Sequence, residues 1–317
     1  MIGSIKNKIN QVINRVNSGV INQVQYNLIE NSKKDEALLH LTAKLLIDTH
    51  KKNENEILKN IQLAEFKVYS QWGDDGIIQF LINYLDIKHK TFIEFGVENY
   101  TECNTRFLLV NNNWKGLIFD GSEKNITAIE KDNFYWQYNL TAECEFITTE
   151  NINHLIKKNN FSGKVGILHI DIDGNDYHVW RAITEVEADI VIMEYNSVFG
   201  IKNPWTVQYD AKFYRTNFHY SNLYFGSSLL SLCDLGEEKG YLFIGCNSAG
   251  NNAYFIKKEI IKNIEPKTPQ DGYVESMFRE GRNSEGQLTY VSGNNRIKEL
   301  IGLEILNTRT DKIEKIK

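Results

Sequence analysis

The sequence predicts an α/β fold: a doubly wound, mostly parallel sheet with a C-terminal antiparallel hairpin and an N-terminal helical extension. Three observations carry this. Between residues 90 and 195, short apolar runs alternate with stretches of helical rhythm, the pattern of a parallel sheet covered on both faces. The run from Lys90 to Tyr100 ends its apolar part on Glu94, breaks at Gly96, continues helically through Arg106-Phe107-Leu108-Leu109, and is followed by Gly116-Leu117-Ile118-Phe119-Asp120. Strand, glycine turn, helix and strand with a terminal acid make a nucleotide-binding βαβ unit. Finally, Tyr241-Leu242-Phe243-Ile244 and Ala253-Tyr254-Phe255-Ile256 flank a Gly/Asn-rich turn, which reads as a hairpin.

Taken in order, residues 1–62 form the extension. Ile2, Ile5, Ile9, Val12 and Val16 recur at three- and four-residue steps, and Leu38, Leu39, Leu41, Leu45, Leu46 and Ile47 mark a second helix. Such stripes can pair with a second subunit in a homodimer, lie on a membrane surface or cover the main domain. The main domain is expected over 63–265. Tyr69-Ser70-Gln71-Trp72-Gly73-Asp74-Asp75-Gly76 precedes a helix that Asp74 or Asp75 would cap; alternatively its Ser-Gln turn closes over a pocket. Strands are expected at 91–97, 116–120, about 144–148, 165–172 and 189–195, and helices at about 102–112, 122–131, 149–159, 175–186 and 227–238. The aromatic segment from Phe199 to Tyr224 is either a self-burying lid or an acceptor pocket. Residues 266–317 form a tail to which no pattern assigns a role.

Composition narrows the class. At 317 residues and 42% hydrophobic, the chain can bury a full core. A net charge of −5 and a pI of 5.9 argue against a broad nucleic-acid surface. No apolar run reaches about 18 residues and no secretory signal is visible, so a cytoplasmic protein is expected. Cys103, Cys144, Cys233 and Cys246 show no CxxC pairing, which reads as reduced thiols rather than a zinc site. Few prolines and abundant Asn, Lys and Ile fit an AT-rich bacterial genome.

The chemistry concentrates in acids at strand ends. Asp120 can accept both hydrogen bonds of a ribose diol. Asp171, Asp173, Asn175 and Asp176 form the densest acidic cluster, with Asp171 and Asp173 on one side of an expected strand. Carboxylates gathered this way repel unless a cation, proton or donor intervenes. Magnesium or manganese held by Asp171, Asp173 and Glu194, with Asn196 as a further donor, is one answer. A turn in which Asp173 and Asp176 merely cap the next helix is the other. Asp171, Asp173 and Glu194 are the candidate catalytic groups, with His169 and His219 behind them. Glu143 and Asn139 are candidates for the adenine end.

Several of these motifs resemble class I S-adenosylmethionine-dependent methyltransferases, in particular the FkbM-like branch. Phe92-Ile93-Glu94-Phe95-Gly96-Val97 resembles the cofactor-binding strand and turn, and Asp120 the ribose-gripping acid. Leu168-His169-Ile170-Asp171-Ile172-Asp173-Gly174-Asn175-Asp176 resembles the fourth-strand motif. Ser70-Gln71 with Asp74-Asp75-Gly76 resembles the entry segment, and Gly250-Asn251-Asn252-Ala253-Tyr254-Phe255 the last strand. The likeness spans about residues 65–260. It implies a Rossmann-like methyltransferase fold and O-methylation of a small or sugar-containing acceptor, such as a bacterial surface polysaccharide precursor. S-adenosylmethionine would be held by Gln71, Glu94, Gly96, Asn99, Asn104, Asp120, Gly121, Ser122 and Asp171. The acidic cluster also resembles that of macrocin-type O-methyltransferases, which use magnesium. The chain departs from the family at Glu98-Asn99-Tyr100, where further glycines are usual; Asn99 is the residue expected to adopt left-handed geometry. Two competitors stand beside this reading. Asp171-Ile172-Asp173 matches the DxD pattern of metal-dependent glycosyltransferases, and the missing glycines fit a non-catalytic binding protein.

Overall fold

The computed structural model describes residues 27, 30, 31 and 34–317. The stripe from Ile2 to Val16 lies outside the described residues. Helix α1 (34–52) and the single turn α2 (Glu54–Ile57) lead into α3 (Asp74–Leu85). Helix α1 lays Ala43 against Phe66, Tyr69 and Phe107, while Leu38, Leu41 and Leu45 remain exposed.

Beyond α3 the chain alternates: β1 (Thr91–Phe95), α4 (Arg106–Asn112), β2 (Lys115–Asp120), α5 (Glu123–Lys131), β3 (Leu140–Cys144), α6 (Ile152–Lys158), β4 (Gly163–Ile170), α7 (Asp176–Ala182) and β5 (Val186–Glu194). Then come β6 (Trp205–Thr206), α8 (Arg215–Phe218), α9 (Leu229–Glu238), β7 (Tyr241–Cys246), β8 (Asn252–Lys257), α10 (Pro269–Gly272), β9 (Glu304–Asn307) and β10 (Lys312–Lys315).

Seven strands form one sheet in the order β3-β2-β1-β4-β5-β8-β7. The first five run parallel; β8 is antiparallel to both β5 and β7. This is the doubly wound, mostly parallel α/β sheet with a closing antiparallel hairpin expected from the sequence. Side-chain alternation builds it. Phe92, Ile190 and Ile192 join the core on one face, while Ile93, Phe95, Val191 and Met193 join the core on the other.

A separate three-stranded sheet, β10-β9-β6, is built largely from the tail. It packs Leu300, Ile305 and Ile316 against Val198, Phe199, Trp205 and Tyr224. The aromatic segment thus buries much of itself with help from the chain's end.

Two boundaries differ from expectation, each for a physical reason. Strand β3 is Leu140–Cys144, not 144–148. It is an edge strand paired only with β2 and half-buried, so it needs no continuous apolar run, and the apolar pair Phe146-Ile147 belongs to the turn after it. Strand β4 stops at Ile170, and Asp173 sits at φ +56°. The chain therefore turns before Asp173, and the strand alternation that would align it with Asp171 does not apply.

Candidate active site

A cleft of about 970 Å³ opens at the carboxyl ends of the parallel strands, and Glu94, Gly96, Asp120, Asp171 and Glu194 all line it. Strand order dictates this place: the crossover from β1 runs toward β2 on one side, the crossover from β4 runs toward β5 on the other, and a crevice forms between β1 and β4.

The floor is a fixed network. Glu94, buried at the end of β1, accepts the Asn104 N–H at 2.9 Å and the Thr105 N–H at 3.2 Å, and the Thr105 hydroxyl also donates to it. His169 Nδ1 contacts the same carboxylate at 2.8 Å, and Asn104 Nδ2 lies 3.1 Å from His169 Nε2. Burial pulls the imidazole pKa down, but the hydrogen bond and charge of Glu94 carry it above its ordinary value. Both oxygens of Glu94 are spent on the start of α4 and on His169. Its observed role is to hold the turn, not to offer free acceptors to a ligand.

The turn after Gly96 is left-handed at Glu98 (φ +48°) and Tyr100 (φ +61°), not at Asn99. Tyr100 tolerates this because it is buried, with its hydroxyl 3.1 Å from that of Thr105 and its carbonyl accepting from Arg106 at 2.7 Å. Asn99 is exposed, caps Thr101, and is not among the cleft-lining residues. It does not sit where a cofactor-binding residue was expected.

Asp120 is half-exposed at the tip of β2. One oxygen accepts the Glu98 N–H at 2.8 Å; the other accepts the Ser122 N–H at 2.8 Å and Asn125 Nδ2 at 2.9 Å. These three bonds aim the carboxylate, and a carboxylate has about four acceptor directions, so capacity remains for a hydroxyl. Gly121 and Ser122 line the cleft beside it, and Ser122 also caps α5. Phe146, 46% exposed, faces the same end of the cleft with Ile147. Sequence reasoning missed this pair by assigning it to a strand. The residues chosen instead are elsewhere: Glu143 pairs with Lys158 at 3.0 Å, and Asn139 gives its carbonyl to Gly116.

The opposite end holds the acids. Register places Ile170 beside Met193, so Asp171 and Glu194 follow at the tips of adjacent strands. Their carboxylate oxygens lie within 4.8 Å of each other. Burial first, and the charge of Asp173 second, push Asp171 up to about 7. Burial and the charges of Asp171, Asp173 and Asp176 hold Glu194 well above the usual carboxylate range, with Arg215 opposing. Glu194 Oε2 is buried without a hydrogen-bond partner.

The oxygens that converge belong to Asp171, Asp176 and Glu194, all within 4.8 Å of one another. Asp173 is not in that group: its carboxylate takes a hydrogen bond from Arg215 Nη1 at 2.7 Å. Asp176 accepts the N–H groups of Ile172 and Gly174, at 2.8 and 2.9 Å. Asn196 is no free donor set either, since its amide binds Leu223, Phe225 and Val198. The carboxylate oxygens suit a hard cation chemically, and the orphaned Oε2 offers one coordination site.

Around the rim, Gln71 and Trp72 form one lip, and Trp72 stacks on Phe278 at 5.2 Å. The helix-capping expectation for Asp74 and Asp75 does not hold, because α3 starts at Gly73 without a side-chain cap. Asp75 instead accepts the N–H groups of Val68, Tyr69 and Ser70, shaping the entry loop. Asp74 accepts from Asn247, Asn252 and Tyr254, tying α3 to the closing hairpin. Phe213, Tyr214 and Phe225 bring the aromatic segment to the cleft, whereas His219 bonds Ser221 and does not line it. From the tail, Ser276, Phe278 and Arg296 also reach the cleft. No motif signals them, because a segment with so little periodicity gives a sequence reader no element to anchor it.

No protein-family model and no curated protein matches the chain. Among solved structures it is similar to the N-terminal domain of EvdMO1 with SAH bound, at 10% identity and TM-score 0.39, over 59% of this chain and 80% of that one. It is similar to an S-adenosylmethionine-dependent methyltransferase from Clostridium acetobutylicum, at 12% identity and TM-score 0.39, over 66% and 99% of the two chains. A third is the O-methyltransferase from Bacillus cereus in complex with SAH, at 12% identity and TM-score 0.38, over 67% and 90%.

Proposed function

We propose that this chain is an S-adenosylmethionine-dependent O-methyltransferase of the FkbM-like type, acting on a small or sugar-containing acceptor. The observation that carries the reading is a single cleft with a ribose-type acid, Asp120, at one end and a buried acid pair of raised pKa, Asp171 and Glu194, toward the other. The residues fit the cofactor: Gly96 opens the turn, Asp120 keeps acceptor capacity for a diol, and Phe146 offers an aromatic face. When bound, S-adenosylmethionine supplies an electrophilic methyl group on a sulfonium.

The chain's own residues would then do two things. Asp120, Glu98 and Ser122 fix one end of the cleft, so that the reactants are held in line, which supplies much of the acceleration in a displacement. Asp171, poised near neutrality, takes the acceptor hydroxyl proton as the oxygen–carbon bond forms. Glu194, whose carboxylate lies within 4.8 Å of it, sets the local charge that the proton has to balance. The glycosyltransferase reading is weaker, because Asp173 of the DxD pattern is turned to Arg215 instead of joining Asp171 and Glu194.

Titration calorimetry with S-adenosylhomocysteine tests the proposal. Saturable binding is expected, weakened about tenfold to a hundredfold by Asp120→Ala, the loss typical of hydrogen bonds to a charged group. An unresponsive wild-type protein would refute it.

A further inference from the structure

Three arginines line the cleft, and they are neutralised very differently. Arg215 is gripped by Asp173 at 2.7 Å and Glu280 at 2.8 Å, and its guanidinium lies 3.7 Å from the centre of the Phe225 ring. Arg279 is exposed beside Tyr290. Arg296 is 1% exposed, yet its hydrogen bonds go only to neutral oxygens: Ser276 Oγ at 2.8 Å, Ser197 Oγ at 3.4 Å and the Gly293 carbonyl at 3.4 Å. The nearest carboxylate, Glu275, stands 3.6 Å away and is 40% exposed.

A guanidinium carries five N–H donors in a planar fork, and a buried charge is costly unless a counter-ion meets it. Here two donors have no hydrogen-bond partner, and the two-pronged carboxylate contact that arginine favours is missing. The setting is nonetheless built. Ser197 and Ser276 hydroxyls lie 2.7 Å apart, and the Ser276 N–H donates to Ser197 Oγ at 3.2 Å. Ser197 follows the tip of β5 by three residues, so Arg296 stands on the β5 side of the cleft. Asp120 is on β2, three strand spacings away, or about 14 Å in the hydrogen-bonding direction. The guanidinium therefore stands at the end of the cleft that holds Asp171 and Glu194, not the end that holds the ribose-type acid.

We infer that Arg296, with Ser197 and Ser276, forms an oxyanion subsite that receives a carboxylate or phosphate carried by the acceptor. The anion takes over from Glu275 and completes the fork, while the acceptor hydroxyl reaches Asp171. An acidic sugar or sugar phosphate has this chemistry. The assignment of this half of the cleft to the acceptor rests on the proposed methyl transfer, but anion binding at Arg296 does not.

The test is calorimetry on the full chain with inorganic phosphate and with acetate, at constant ionic strength set by chloride; preference between the two tells phosphate from carboxylate. Saturable binding of one anion is expected, reduced at least tenfold by Arg296→Met, partly retained by Arg296→Lys and unchanged by Arg279→Ala. Should Arg296→Met fail to fold, the wild-type protein still decides: a buried arginine Nε–H resonance must shift to saturation with the anion. Absence of saturable binding, or binding lost with Arg279→Ala and kept without Arg296, overturns the subsite. S-adenosylhomocysteine is titrated separately. Nucleoside binding without anion binding defeats only the subsite; anion binding without nucleoside binding defeats only the methyltransferase reading.

Discussion

The carbonyl oxygen of Asp171 closes off the space beside Gly96: a Cβ on that glycine would stand 1.8 Å from it. Gly96 is also left-handed, at φ +74°. The first turn and the residue that follows β4 are thus in direct backbone contact, and a change at one displaces the other. Gly96→Ala adds left-handed strain of roughly 1–2 kcal/mol to an overlap costing about 1–3 kcal/mol. The midpoint of thermal unfolding is expected to fall by about 5 °C or more. Nucleoside binding should weaken in parallel. Calorimetric melting with and without S-adenosylhomocysteine checks both, and an alanine variant of unchanged midpoint and affinity would refute the coupling.

Asp171 gives the stability a pH signature. Its pKa is raised from 3.8 to about 7, and Asp75 and Asp176 are raised to about 6, each chiefly by burial. The folded chain therefore binds more protons than the unfolded one between about pH 4 and 7, and stability must fall as pH rises through that window. His169, also raised, acts in the same direction. Asp171→Asn removes one contribution, so the difference in urea midpoint between pH 5 and pH 8 should shrink. The same variant should lose about 10²–10⁴-fold in turnover if Asp171 takes the proton. An undiminished pH difference would place the raised acid elsewhere.

Much of the sheet was legible because buried parallel strands must be continuously apolar, and 91–97, 116–120 and 189–195 read that way. Strand β3 was misplaced because an edge strand is under weaker constraint. At the site, the acids at strand ends could be named from sequence, and Asp120, Asp171 and Glu194 do share a cleft. Their partners could not. Arg215 and Arg296 arrive from segments 40 or more residues away in sequence, and local spacing carries no trace of which acid a distant arginine will meet. That is why Asp173 was grouped with Asp171 and Glu194 as a candidate ligand, while Asp176, which accepts the N–H of Ile172 four residues earlier, was named in the cluster but not among the ligands.

The Asp173–Arg215 pair separates methyl transfer from nucleotide-sugar chemistry. Asp173 is 55% exposed and engaged with a cation. Asp173→Asn keeps a hydrogen-bonding oxygen for Arg215 and leaves Asp171 and Glu194 in place. Solvent screening limits the stability cost to about 1 kcal/mol or less. Turnover is expected to change less than tenfold, in contrast to Asp171→Asn. A DxD-type enzyme would need both acids on its metal, so equal and severe losses in the two variants would favour glycosyl transfer.

A cation at Asp171 and Glu194 would carry its own pH signature. At pH 5, below the value of about 7 to which burial raises Asp171, a proton occupies the site and a divalent ion has to displace it; at pH 8 Asp171 is ionised and a cation meets its charge without that competition. Manganese or magnesium should therefore raise the melting midpoint at pH 8 and have little effect at pH 5. Glu194→Gln removes one anionic ligand, including the oxygen that has no partner, and should abolish the shift. A melting midpoint indifferent to either ion at pH 8 would assign the pair to proton transfer alone, with the cation struck from the mechanism and the base role of Asp171 left standing.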